Sequence, residues 1–369
     1  MQKHMTVPDW SEIRQRYQLV NQRTYFNTPS FCAMSDRTVA VQVDCLELFQ
    51  TKGNQLNEQA QQAAEEIRQI VLELTHTDDH EVAIIPDVST AMNHLAELLH
   101  DCKKVALLRE DYPAASSPWI VRDFDITWVE RRDMAYDLKE IEDVLKSGVQ
   151  VLALSWVMYN SGAILDLQAI GELCKQYDVI FIVDGTQGLV AQDLDLSKAH
   201  IDVMLVTAFK WMLAGYGIGV AIARKGFVAK HPIRVAGQNT IVNGEKSAED
   251  LTNYRSGIER FELGHAKIQQ VLALACALNE LKSIGFEMIQ QRTAELMGVL
   301  RSSLQEGGID ILTPAVASAN MLVIEGTAER ADQLKQAGID FTYRHGLIRL
   351  GIYFYNNETD ISRLIQALN

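Results

Sequence analysis

Two side chains in the middle of this chain are of types that do covalent chemistry together, Asp184 and Lys210. Asp184 closes the apolar run Val179-Ile-Phe-Ile-Val-Asp184, and Lys210 follows closely on a second run that ends at Thr207. Continuous apolar runs of this length, separated by helical patterns, predict parallel strands buried on both faces. Open α/β sheets place ligands at the carboxyl ends of such strands. A lysine amine condenses with an aldehyde, and a neighbouring carboxylate keeps a pyridine nitrogen protonated. The pair predicts a pyridine-aldehyde cofactor that serves as an electron sink for a carbanion on the substrate.

An anion site is suggested by Asp87-Val-Ser-Thr-Ala-Met-Asn93, which follows a strand pattern and opens a helical one. A helix N-terminus offers free amide donors and the positive end of the macrodipole to a dianion. Ser89 and Thr90 are the candidate ligands. They equally make an ordinary cap, worth about 1 kcal/mol, and the two readings are compatible. Two other patterns fall away. His76 and His80, around Asp78 and Asp79, sit where a helix pattern ends before a strand and read as solvated loop, so no metal is expected. Gly215-Tyr-Gly-Ile-Gly219 precedes a strand, whereas a dinucleotide fingerprint follows one and opens a helix.

The elements that must position these groups are legible as an alternation of helix and strand periodicities. Helices are expected over 39–49, 57–74, 89–100 and 167–177, and strands over 81–85, 105–108, 126–130, 151–156, 179–184, 204–207 and 217–223. Beyond residue 261 the texture changes to helices near 273–281 and 292–304 and strands at 321–325 and 347–353. The expectation is a large domain over 21–260 and a smaller α+β domain formed by 1–20 with 261–369. The stretch 229–254 lacks periodicity and reads as a loop or interface.

With these motifs in place, the sequence resembles the class V aminotransferase family, from Tyr25-Phe-Asn-Thr-Pro-Ser30 to Tyr355-Asn-Asn-Glu358. The family also holds cysteine desulfurases, kynureninases and isopenicillin-N-epimerase-like proteins. The resemblance implies fold-type-I architecture and pyridoxal 5'-phosphate as cofactor, carried by Lys210 as a Schiff base. Asp184 would pair with the pyridine nitrogen, and Gln187 would hydrogen-bond the ring hydroxyl. Thr207, in Thr207-Ala-Phe-Lys210, would bind phosphate with Ser89 and Thr90. Tyr112, in its Tyr-Pro context, would stack on the ring, whereas Trp119 reads as structural. Arg349, in Gly346-Leu-Ile-Arg-Leu-Gly351, would grip the substrate's α-carboxylate, as a guanidinium does with two parallel hydrogen bonds. Asn27 lies in the loop 27–35 that approaches the substrate in relatives. By the same resemblance the enzyme is a homodimer.

Several positions depart from the desulfurase branch. The stretch 331–349 has no cysteine, so persulfide-forming desulfuration is disfavoured; Cys276 reads as a buried structural thiol and Cys32 as non-catalytic. Tyr159 stands where an Asn usually contacts the ring hydroxyl, and Phe209 where a His commonly precedes the lysine. His265, in Phe261-Glu-Leu-Gly-His265, is a phosphate donor by weak analogy. Transamination is the expected reaction because it requires only Lys210 as proton shuttle. A C–S or C–Se β-lyase follows, then an epimerase, with a non-catalytic binding protein as the reading from another class.

Composition narrows the partners. A net charge of −14, from 34 basic against 48 acidic residues, disfavours nucleic acid and anionic membranes. Five scattered cysteines without a C-x-x-C pair fit a reducing cytoplasm. No apolar run approaches the roughly 20 residues of a membrane span.

Overall fold

The central apolar runs become strands because each is buried on both faces. A computed structural model describes residues 8–242, 253–265, 267–314 and 320–369. Its strands are β1 (Thr24–Tyr25), β2 (His80–Ile85), β3 (Lys104–Leu108), β4 (Asp125–Val129), β5 (Val151–Ser155), β6 (Ile180–Asp184), β7 (Val203–Thr207), β8 (Gly219–Arg224), β9 (Met321–Glu325), β10 (Ile339–Asp340), β11 (Thr342–Arg344) and β12 (Leu347–Gly351). Seven of them form one sheet in the order β2-β8-β7-β6-β5-β3-β4. From β4 to β7 every pairing is parallel. Only β8 runs against its neighbours.

Alternate residues of each strand enter different cores. Leu152, Leu154, Phe181 and Val183 join one helical layer, while Val151, Ala153 and Ile182 join the other. A side chain of this kind contributes about 1.5–3 kcal/mol on full burial, so both faces demand apolar residues and no polar alternation survives. Helices on the two faces begin at side-chain caps. Asp87, Asp137, Asp166 and Asp195 each accept an amide of the first turn, which fixes where each helix starts.

A second, antiparallel sheet has the order β11-β12-β9. Its own core holds Leu296, Leu300, Leu322, Ile324, Ile348 and Leu350. Strand alternation turns Arg349 to the opposite face from Ile348 and Leu350. The helix Trp10–Gln15 is tied to the far end of the sequence, Arg14 donating to the Tyr355 carbonyl at 2.6 Å and to Asp360 at 2.7 Å. No helix among the described residues is long and apolar enough to cross a membrane.

The α/β architecture with a mainly parallel sheet is that expected. The antiparallel course of β8 was not readable, because a fully buried run looks the same in either direction. Helices Pro113–Ile120 and Leu138–Lys146 were also not anticipated; the first is eight residues long and carries an internal proline, Pro118. Among the described residues of the aperiodic stretch 229–254 are a helical turn at Gln238–Thr240, the end of another and an antiparallel bridge between Ile241 and Tyr254, and residues 243–252 of it lie outside those described.

Candidate active site

The chain leaves the carboxyl ends of β2, β3, β5, β6 and β7 at one edge of the sheet, and a cleft opens there. It is lined by Asp87, Ser89, Tyr112, Tyr159, Asp184, Gln187, Thr207 and Lys210, together with Val88, Ala114, Ser155, Val157, Thr186 and Phe209. Register accounts for the grouping: Ser155 lies beside Asp184, and β6 pairs directly with β7, which delivers Lys210. Seven of the sequence candidates thus meet: Ser89, Tyr112, Tyr159, Asp184, Gln187, Thr207 and Lys210.

Lys210 is 8% exposed. Its ammonium lies 5.7 Å from the centroid of the Tyr112 ring and 5.5 Å from that of Phe209. Burial lowers its pKa to about 8; Asp184 opposes this and Arg349 adds to it. Burial likewise raises Asp184, whose Oδ1 accepts from the Thr186 amide at 2.9 Å. Each group is pushed toward its neutral form because the cleft desolvates both more than they attract one another. A cation placed against Asp184, such as a protonated pyridine nitrogen, would return the carboxylate to its charged form. The acid, the lysine and the tyrosine fit the pyridine-aldehyde cofactor in that respect.

The depressed lysine has a direct consequence. The free amine accumulates above about pH 8 instead of near the ordinary lysine value of 10.5. Site-resolved labelling of Lys210 in cofactor-free protein by a small amine reagent is therefore half-maximal near pH 8. A midpoint at the ordinary value would show that water reaches the ammonium freely.

Gln187 is buried and held at both ends of its amide. Nε2 donates to the Pro29 carbonyl at 3.0 Å, and Oε1 accepts from Trp211 Nε1 at 2.9 Å. One N–H of the amide remains for a ligand hydroxyl. Tyr112 and Tyr159 meet edge to face at 5.2 Å.

Arg349 borders the cleft through Tyr159, whose carbonyl accepts from Nη1 at 2.7 Å. Nη2 donates to Ser30 at 2.7 Å and to Thr342 at 3.1 Å. Nε is buried without a partner among the described residues, and burial, with the Arg344 charge, lowers the guanidinium to about 10. A buried guanidinium among neutral acceptors suits an incoming carboxylate. Asn27 is not in the cleft lining; its Oδ1 accepts from Thr342 at 2.8 Å, one step behind Arg349. Thr90 is also outside it, engaged by Asp87. His265 is exposed and away from the lining.

Sequence reasoning missed Asp87 as a cleft residue and Asp111 altogether. Asp111 accepts from the Tyr112 amide at 2.6 Å and the Ser155 amide at 2.8 Å. Its burial raises it to about 6. The adjacent Tyr112 was the only signal pointing there. None of the five cysteines lines the cleft. Cys32 is fully buried, with its thiol pushed up to about 12, and Cys276 is half-buried in the helix Ile268–Ile284. Trp119 is buried in the core beneath Phe124. His80 is tied to Thr77 and to the Ile201 carbonyl.

Known proteins share the family pattern and the fold of this chain. The family described as "Aminotransferase class-V" matches residues 46–334. A probable cysteine desulfurase of Chlamydia trachomatis is 28% identical over 251 residues, 63% of this chain and 62% of that protein, so that under two thirds of its length is aligned. An uncharacterized aminotransferase of Schizosaccharomyces pombe is 26% identical, with coverage of 84% and 82%. Among solved structures, the apo cysteine desulfurase of Thermococcus onnurineus superposes with a TM-score of 0.86 at 21% identity, covering 99% of this chain and 98% of that one.

Proposed function

The chain belongs to the class-V aminotransferase family, pyridoxal-phosphate enzymes that act on amino acids, and on that premise we propose that it is an aminotransferase in which Lys210 both anchors the cofactor and moves the substrate's proton. The observation that carries this reading is the cleft's inventory: among the described lining residues Lys210 is the one amine, and no thiol stands beside it. When bound, the cofactor supplies an electron sink that acidifies the α C–H of an amino acid. Asp184 and Gln187 would hold its ring, Tyr112 would cover one face, and Ser89 and Thr207 would take its phosphate.

The chain's own residues do the remainder. Arg349 fixes the amino acid's carboxylate with paired N–H donors, orienting the α hydrogen within reach of Lys210. Lys210, whose amine burial brings down to about 8 so that the free base is far more available than in an ordinary lysine, takes the proton at Nζ and returns it. Tyr112 and Tyr159 keep water from the mouth.

A second reading, a C–S β-lyase, is supported by the cysteine desulfurase names of the relatives. Lacking a thiol in the cleft, such an enzyme would release sulfur without a protein persulfide. Chromatography of products separates the two. Transamination gives a new amino acid only when an oxo-acid acceptor is added. Pyruvate and ammonia formed without an acceptor, together with sulfide from cysteine or cysteine persulfide from cystine, would replace that reading with the lyase, and inversion alone would establish an epimerase.

The proposal extends to context. An exposed apolar stripe on the helix Asp36–Lys52, formed by Val39, Val43, Leu46 and Phe49, supports a homodimer. The layer around β9, β11 and β12 serves as the smaller domain that closes the cleft. Five free thiols support a cytoplasmic setting.

A further inference from the structure

The end of the cleft assigned to phosphate already holds a carboxylate. Asp87 is the N-cap of the helix Val88–Leu98 and takes both donors of Thr90, the amide at 2.7 Å and the hydroxyl at 2.9 Å. Thr90 is one of the residues expected to hold phosphate. Asp87 lines the same cleft as Ser89, Thr207 and Lys210. Among the described lining residues Lys210 is the one cation, against Asp87 and Asp184, and Phe209 beside it contributes no charge. One first-turn amide at the positive helix end is thus taken by an anion, and among the described lining residues no cation is left over to offset a second one.

We infer that Asp87 is an electrostatic brake on cofactor retention: its carboxylate competes with the cofactor's phosphate for the first-turn donors of the helix Val88–Leu98, so that the cofactor binds weakly and exchanges readily. This rests on the cofactor assignment of the cleft. A helix N-terminus stabilises a nearby anion, but its donors are few and the effect fades within one turn. A phosphate brings a charge of about −1.5 to −2 to a position beside Asp87, and like charges in a partly desolvated cleft repel more strongly than in water. Asparagine caps a helix as well as aspartate, so the charge can be removed while the helix start is kept. Pyridoxal, which has the same ring and aldehyde without phosphate, brings no anion to this end.

The test is equilibrium binding of pyridoxal phosphate and of pyridoxal to the full chain and to Asp87→Asn, followed by absorbance after dialysis. Melting curves of the cofactor-free proteins report the fold. The expected result is pyridoxal phosphate held roughly tenfold more tightly by the variant, with pyridoxal changed by less than about twofold. Unchanged or weaker phosphate-ester binding overturns the brake while leaving the cofactor assignment intact, as does an equal gain for pyridoxal. Failure of both proteins to take up pyridoxal phosphate overturns the assignment and the brake together. If Asp87→Asn does not fold, Asp87→Ser, which keeps a capping hydroxyl, is measured in its place and judged by the same outcomes.

Discussion

Lys210→Ala yields a protein that remains colourless after incubation with pyridoxal phosphate and desalting, and to which borohydride fixes no cofactor. The unsubstituted chain turns yellow and is labelled at Lys210. Turnover falls by at least about a thousandfold, since anchoring and proton transfer are lost together. The size of the effect follows from the cleft: among its described lining residues the other ionisable groups are carboxylates and tyrosines, and Lys210 is the only amine. Stability should not suffer. Removing a buried ammonium whose pKa burial has lowered relieves a desolvation cost. A yellow, labelled Lys210→Ala protein would place the covalent chemistry on another lysine and end this reading of the site.

Arg349→Ala separates substrate binding from cofactor binding. The variant keeps the yellow band, while kcat/KM for amino acids drops by roughly a hundredfold to a thousandfold, the cost of removing one partner of a desolvated charge pair. Lysine does not rescue it, because a single ammonium cannot reproduce the paired donors. Before substrate arrives, the guanidinium is a largely buried cation whose partners among the described residues are neutral oxygens of Tyr159, Ser30 and Thr342. Arg349→Met should therefore melt no lower than the parent while losing the same activity. Full activity toward α-amino acids in Arg349→Ala, measured by steady-state kinetics, would remove the residue from substrate recognition.

Much of the sheet and the centre of the site were legible because both lie in continuous chain. Asp184 ends one apolar run and Lys210 follows another, both runs had to be buried strands, and strands in one parallel sheet deliver their carboxyl ends to one edge. The helix 57–74 was readable to the residue, since its apolar positions recur with helical period on one face. What resisted reading depends on partners distant in sequence. Asp111 looks like a loop acid until the amides of Tyr112 and Ser155 are seen to point at it. Gln187 suggested a ligand contact, but its clamp between Pro29 and Trp211 could not be inferred from spacing. Thr90 was a phosphate candidate by type and place, and nothing local announced that Asp87 would claim both its donors. The direction of β8 and the role of Asn27 behind Thr342 belong to the same class of tertiary information.

The tie between β12 and the cleft also dictates an order of events during synthesis. Asp184, Gln187 and Lys210 precede Arg349 by well over a hundred positions in the sequence, and the strands that carry them pair among themselves. A ribosome that has released β2 through β8 has released every strand of the main sheet. The carboxylate clamp and Tyr353, whose hydroxyl donates to the Trp211 carbonyl at 2.9 Å, emerge later. Since domains tend to fold as units during translation, the nascent chain can present a cofactor pocket before it can recognise an amino acid. Capture of the ring and aldehyde can then precede closure of the substrate side, and a truncated chain stalled before β12 would be a cofactor-binding protein without an enzyme's selectivity.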